Sequence, residues 1–223
     1  MMDDWPFPVK LRRSRRAKKL SLTVDAAECC AKLVLPFNVS LKEGRDFLNR
    51  ESKWVLEEIS KIPPRKSFNN GGIFTLLGER CKVQHLPLLP PDVRQEGIDL
   101  VVGGYSDPNE RIIEWLKCVA STSMRAATCS KAQSLNLQPP RMSIRDPRGS
   151  WGSCSEKGTL SFSWRLVLAP PWIMDYVISH EVAHLLEFNH RKEFWILVAK
   201  LWPRYKGARR WLEKNGPTLL RYG

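Results

Sequence analysis

His180-Glu181-Val182-Ala183-His184-Leu185-Leu186-Glu187-Phe188-Asn189-His190 holds three of the four histidines in this 223-residue chain. On a helix, residues four apart share a face, so His180 and His184 can grip one cation from successive turns. Glu181 stands one position on, beside that cation rather than pointing at it. A carboxylate there is placed as a general base for water on the metal. His190 is the preferred third ligand, because neutral imidazole is the commoner zinc partner; Glu187, one turn after His184, is the alternative. Three protein ligands leave zinc a fourth position for water, whose pKa falls to about 7. The stretch predicts a zinc hydrolase site.

Its flanks support the reading. Pro170-Pro171 followed by Trp172 to Ile178 predicts a helix with proline in its first turn, so the histidine spacing falls where it has meaning. Asn189 tolerates the left-handed conformation that ends a helix and turns the chain back, which would return His190 to the first two histidines. The spacing equals that of HExxHxxGxxH metzincins, but Glu187 occupies the turn-glycine position and no methionine follows Met174. The metzincin pattern is therefore not met.

Further out, the charge is uneven. Net charge is +13; residues 1–66 carry 15 Lys+Arg against 9 Asp+Glu, residues 67–140 carry 7 of each, and residues 141–223 carry 14 against 7. A basic excess at both ends favours anionic partners, nucleic acid and phosphates included, while a plain solvated basic surface accounts for it equally well. The six cysteines form no CxxC pair, which fits free thiols in a reducing compartment. No apolar run is long enough to span a membrane, and Met1-Met2-Asp3-Asp4 lacks the apolar core of a signal peptide. The expectation is a cytoplasmic protein with no membrane partner.

Taken in order, Lys10 to Lys19 is the densest charge run, read either as strand surface or as a nucleic-acid arm. Leu20 to Val24 and Leu33 to Pro36 alternate as a hairpin does. Ser40-Leu41-Lys42-Glu43 is a capping box that should open a helix running to about Ile62. Ile73 to Leu77 and Cys81 to Leu86 predict a second hairpin, with His85 structural or on the surface, and Ile98 to Val102 a further strand. From about Asn109 to Asn136 the period becomes helical, with Ile113, Leu116, Ala120, Met124 and Ala127 on one face. A lobe boundary is placed near residue 105, giving a β-rich lobe with one helix (1–105) and a metallohydrolase core (106–223). Two later helices follow the motif, around Phe194 to Leu201 and Lys206 to Leu212.

The segment before the motif carries a family resemblance. Trp151-Gly152-Ser153-Cys154-Ser155, Gly158-Thr159-Leu160-Ser161-Phe162 and Trp164-Arg165-Leu166-Val167-Leu168-Ala169-Pro170-Pro171 precede His-Glu-Val-Ala-His, and Asn189-His190 is followed by Phe194-Trp195. Together with the basic opening and the first hairpin, these resemble the YgjP-like metallopeptidase family, itself similar in its core to WLM and SprT-like zinc proteases. The resemblance implies zinc on His180, His184 and His190, with Glu181 as acid/base. It also implies an α+β, zincin-like core in which a short antiparallel sheet backs the motif helix. Ser150 where the family usually has arginine, and Val182 where it usually has leucine, depart from the pattern without touching the metal.

Several roles stay open. Cys154 reads as packing rather than as a nucleophile. The strand from Gly158 to Trp164 could offer its edge to an extended peptide, an expectation drawn from the resemblance. Tyr205, Arg165 and Arg209 are the candidate donors to a transition-state oxyanion. The first functional reading is a zinc peptidase acting on a peptide or protein. The second is a nucleotide pyrophosphatase using the same site with arginines on the phosphates. The third is a nucleic-acid-binding protein with a structural zinc, against which Glu181 argues, since a closed structural site needs no base.

Overall fold

The computed structural model describes residues 5–26, 28–147 and 149–223; the N-terminal stretch read for a leader lies, at residues 1–4, outside the described residues. The chain divides into two compact units, Met1–Pro64 and Arg65–Gly223.

The first unit is a three-stranded sheet with two helices. Strands β1 (Val9–Ser14), β2 (Ser21–Asp25) and β3 (Cys30–Pro36) are ordered β1-β3-β2, with β1 parallel and β2 antiparallel to β3. Ala31, Leu33 and Leu35 of β3 point into a core shared with Phe7, Leu48 and Val55, as the period of two requires. Half of the basic run is thus edge strand β1, none of whose residues is buried. Lys10 pairs with Glu28 and Lys32 with Asp25. The capping box forms as expected: Ser40 Oγ accepts from Glu43 N at 3.2 Å, and Ser40 N donates to Glu43 Oε2 at 2.8 Å. The expected single helix to Ile62 is two, α1 (Leu41–Arg50) and α2 (Ser52–Ser60). At the break, Ser52 Oγ donates to Asn49 O at 2.8 Å, a side-chain bond that competes with the helical ladder.

The second unit begins with four strands, β4 (Ile73–Leu76), β5 (Glu79–Leu86), β6 (Val93–Glu96) and β7 (Asp99–Gly103), ordered β4-β5-β7-β6. Leu77 and Gly78 both take positive φ (50° and 91°) in the two-residue β4–β5 turn, matching the twist of its strands. Strand β6 was illegible in sequence because Val-Arg-Gln-Glu offers a single apolar residue. Phe74, Leu76, Val83, Leu100 and Val102 from this sheet share one core with Ile112, Leu116, Ala120 and Met124 of α3 (Pro108–Ser134). That common core is why the chain divides at Pro64 rather than near residue 105. The buried stripe of α3 continues through Thr128 and Ala132, while Ile113 and Ala127 are half-buried.

A second three-stranded sheet follows: β8 (Met142–Arg145), β9 (Gly152–Cys154) and β10 (Leu160–Ser163), ordered β8-β10-β9. Strand β9 is antiparallel to β10, as expected, but β8 is parallel to it, because the β9–β10 hairpin returns between its predecessors. Strand β10 is therefore central, and the edges of this sheet are β8 and β9 rather than β10. A buried 3-10 turn, Trp164–Leu168, then leads into α4 (Pro171–Ala183), α5 (Lys192–Leu201) and α6 (Tyr205–Leu219). Helix α4 is buried on several faces, by Ile173, Met174, Val177, Ile178 and Val182 among others. The β4–β5 turn abuts its start, where Leu77 N donates to Val167 O at 2.7 Å and an added Cβ on Gly78 would lie 3.0 Å from Pro171 Cδ. Near the ends of this unit, Lys66 N donates to Arg221 O at 2.7 Å and Gly223 N to Lys66 O at 3.0 Å.

Candidate metal centre

Pro171 opens α4 at a position where its missing N–H costs nothing, and the helix delivers His180 in its last turn and His184 at its C-cap. The carbonyl end of a helix favours positive charge, so a cation here meets a complementary field. Beyond His184 the chain reverses: Asn189 N donates to Glu187 Oε1 at 3.2 Å and Arg191 N to Asn189 O at 2.8 Å. The reversal returns His190, whose Nε2 lies 3.2 Å from His180 Nε2. One ligand atom from each of His180, His184 and His190 lies within 4.8 Å of the others. Glu187 is absent from this cluster; its carboxylate holds the turn instead.

The three imidazoles share a backing. The ring of buried Phe194 on α5 stacks on His184 (4.4 Å between centroids, 28°) and meets His180 at 4.8 Å and His190 at 4.7 Å edge-on. Trp195 lies 6.0 Å from His190, with Tyr205 stacked on its ring at 5.2 Å and the Arg209 guanidinium 4.9 Å over it. Sequence reasoning placed Phe194 only on a helix face; its role behind the histidines depends on tertiary structure.

These donors fit a small divalent cation. Two nitrogens each about 2.05 Å from a tetrahedral zinc stand about 3.3 Å apart, close to the His180–His190 separation. His184 Nδ1 is 3.0 Å from Glu187 O, so that nitrogen carries the proton and leaves Nε2 as ligand. Burial pushes His180 down to about 3, helped by the charges of His184, His190 and Arg209, and burial also lowers His184. Both imidazoles are thus neutral at pH 7, the form that ligates. His180 Nδ1 is buried with no hydrogen-bond partner among the described residues.

Glu181 is 5% exposed and lines a cleft of about 220 Å³ with His180, Tyr176, Trp151, Gly152 and Leu212. Burial pushes its carboxyl up to about 8. Gly152 is what admits it: a Cβ there would lie 2.6 Å from Glu181 Cγ and 2.7 Å from Oε1. Tyr176, one turn before His180, went unread in the sequence although its i−4 spacing puts it on the same helix face. Burial raises its phenol to about 12, so it stays a donor at neutral pH. Cys154 keeps its thiol proton through burial and the nearby Glu181 charge.

Of the three expected oxyanion donors, Tyr205 and Arg209 border the site through Trp195. Arg165 does not serve it. Its guanidinium pairs with Asp146 and donates to Tyr222 O from Nε (3.2 Å) and Nη2 (2.8 Å), tying chain segments together. A partner far away in sequence could not be foreseen. His85 is structural as expected, its Nε2 2.8 Å from Gly104 O.

No curated protein matches this chain. Among solved structures, the metallopeptidase zymogen of Pyrococcus abyssi abylysin is similar, at 27% sequence identity over 40% of this chain and 91% of that one, with a TM-score of 0.37. The YgjP-like metallopeptidase domain matches residues 18–215, nearly the whole chain and every residue of the cleft and its histidines, and the chain belongs to this metallopeptidase family.

Proposed function

We propose that the chain is a zinc-dependent peptidase in which His180, His184 and His190 hold the metal and Glu181 is the general base. The observation that carries this is the convergence of three imidazoles next to a buried carboxylate in one cleft. Once bound, zinc would supply Lewis-acid polarisation of the scissile carbonyl and a lowered water pKa. Glu181 then takes the proton of the attacking water on its carboxylate and returns it to the leaving nitrogen. Its high affinity for a proton suits that exchange, and a neighbouring cation draws the group back toward ionisation. Tyr176, which lines the cleft, would donate from its hydroxyl to the carbonyl oxygen as charge develops. Strand β9, at the sheet edge beside Glu181, is the place for an extended substrate to pair.

The chemistry of the cleft also favours peptide over phosphoanhydride. Among the described residues its lining, Ser150, Trp151, Gly152, Tyr176, Val177, His180, Glu181 and Leu212, includes no lysine or arginine to neutralise phosphates. The test is metal content and peptide cleavage together. About one zinc per wild-type chain, lost in His184→Ala and in His190→Ala, is expected. Glu181→Gln should keep its metal while cleavage falls by about 10³-fold. Full zinc in His190→Ala would remove that ligand, and undiminished cleavage by Glu181→Gln would remove the base.

A further inference from the structure

A second cavity lies along the same helix. This groove, of about 640 Å³, is lined by Trp172, Trp202, Pro203, Arg204 and Gly207. Trp172, in the first turn of α4, is 39% exposed and meets Trp211 of α6 edge-on at 6.2 Å. Trp202 contributes a buried Nε1–H that has no acceptor among the described residues. Trp172, Tyr176 and His180 are spaced by four and form one stripe of α4. On α6, Trp211 holds the groove's tryptophan, and its neighbour Leu212 lines the catalytic cleft. Groove and cleft therefore follow a single α4–α6 seam. Eight residues of helix separate Trp172 from His180, about 12 Å of axis, or three to four residues of extended peptide.

We propose that this groove is a specificity subsite for an aromatic or large aliphatic side chain, three or four residues from the cleaved bond, with an acidic residue beside it. The inference rests on the peptidase reading above. Tryptophan faces and a proline ring bury an apolar side chain well and offer a charged one nothing. Arg204 supplies the charge at the rim. Lys206, Arg209 and Arg210 are also exposed, and residues 202–212 contain no aspartate or glutamate. An acidic neighbour complements that field.

Gly207 makes the groove testable, because a Cβ added there has nothing within 4 Å. Gly207→Phe thus fills the cavity without displacing the helix. The metal-loaded full chain would be profiled on a peptide library varying each position among Phe, Leu, Ala, Glu and Lys. The expected result is a kcat/KM about tenfold higher for Phe or Leu than for Ala at the third or fourth position on one side. Gly207→Phe should bring that ratio close to one, and Arg204→Glu should reverse the adjacent Glu-over-Lys preference, with metal content retained in both. Absence of preference in the wild type, or a ratio that survives Gly207→Phe, overturns the subsite. Should the wild type cleave no peptide, the peptidase reading falls and binding decides the groove. Fluorescence anisotropy would then compare fluorescein-labelled Phe-Glu and Ala-Lys hexapeptides. Tighter Phe-Glu binding lost in Gly207→Phe supports the subsite, and equal binding overturns it.

Discussion

The sheets β1-β3-β2 and β8-β10-β9 have the same plan. In each, the first strand is parallel to the third, the second is antiparallel to it, and the third is the buried centre. They differ in what their edges carry. Strand β1 is loaded with lysine and arginine, a device that discourages pairing with another chain. Strand β9 is short, uncharged and begins with a glycine against the Glu181 carboxylate. One topology, therefore, makes a guarded surface in one unit and a site wall in the other, and edge chemistry alone separates them.

A methyl group added to each unit probes that contrast. In the second, Gly152→Ala sets a Cβ against Glu181 and should lower peptide cleavage by about 10²-fold, the scale of a misplaced catalytic group. Stability should fall as well, by about 1–2 kcal/mol, because the Cβ crowds a buried side chain, and full activity in this variant would detach β9 from the site. In the first, Gly44 of α1 plays the matching part, since an added Cβ would lie 2.7 Å from Leu35 Cδ2 on β3. Gly44→Ala should cost about 1–2 kcal/mol by denaturant titration, overpacking outweighing the gain in helix propensity, with kcat/KM for peptides unaltered.

A smaller effect is read in pH. In metal-free protein the buried Glu181 holds a proton up to about 8 that an unfolded carboxyl releases near 4.5, so its contribution to stability declines as pH rises across that window. His180 acts oppositely, titrating at about 3 when folded and at 6.5 when unfolded, so its penalty grows only as pH falls below 6.5. Between pH 6.5 and 8 the carboxyl governs the balance of these two. The melting temperature of chelator-treated protein should fall across that interval, and fall less in Glu181→Gln. The smallest effect is at β1, where Arg12→Ser should shift stability by under about 0.5 kcal/mol. Light scattering at high concentration should nevertheless rise, because the edge has lost a guard.

What could be read from sequence was local. His180 and His184 are one helical turn apart. The reversal that returns His190 does not use the expected left-handed Asn189, which does not take positive φ; hydrogen bonds of Asn189 with Glu187 and Arg191 make the turn instead. Capping at Ser40 and the Leu77-Gly78 turn were likewise legible, being made by neighbours. Contacts between distant segments were not. Nothing near Gly152 reveals that Glu181 presses on it, nor does anything near Arg165 reveal Asp146. Parallel pairing of β8 with β10 has no turn signature, so the sheet read as wholly antiparallel. Tyr176 is the instructive omission, since its spacing from His180 is as regular as that of His184.

Lys66 and Tyr222 are bridged in parallel, and Arg65 reaches Gly223 O from Nε at 3.0 Å. The catalytic unit is consequently a near-circle of chain whose entry and exit share one spot on its surface. Such a unit can be cut and rejoined: a short linker from Gly223 to Arg65, with new termini at the exposed Gly97 turn, would leave the run from His180 to His190 uninterrupted. It can equally be spliced into a surface loop of a host protein, entering and leaving through a single gap.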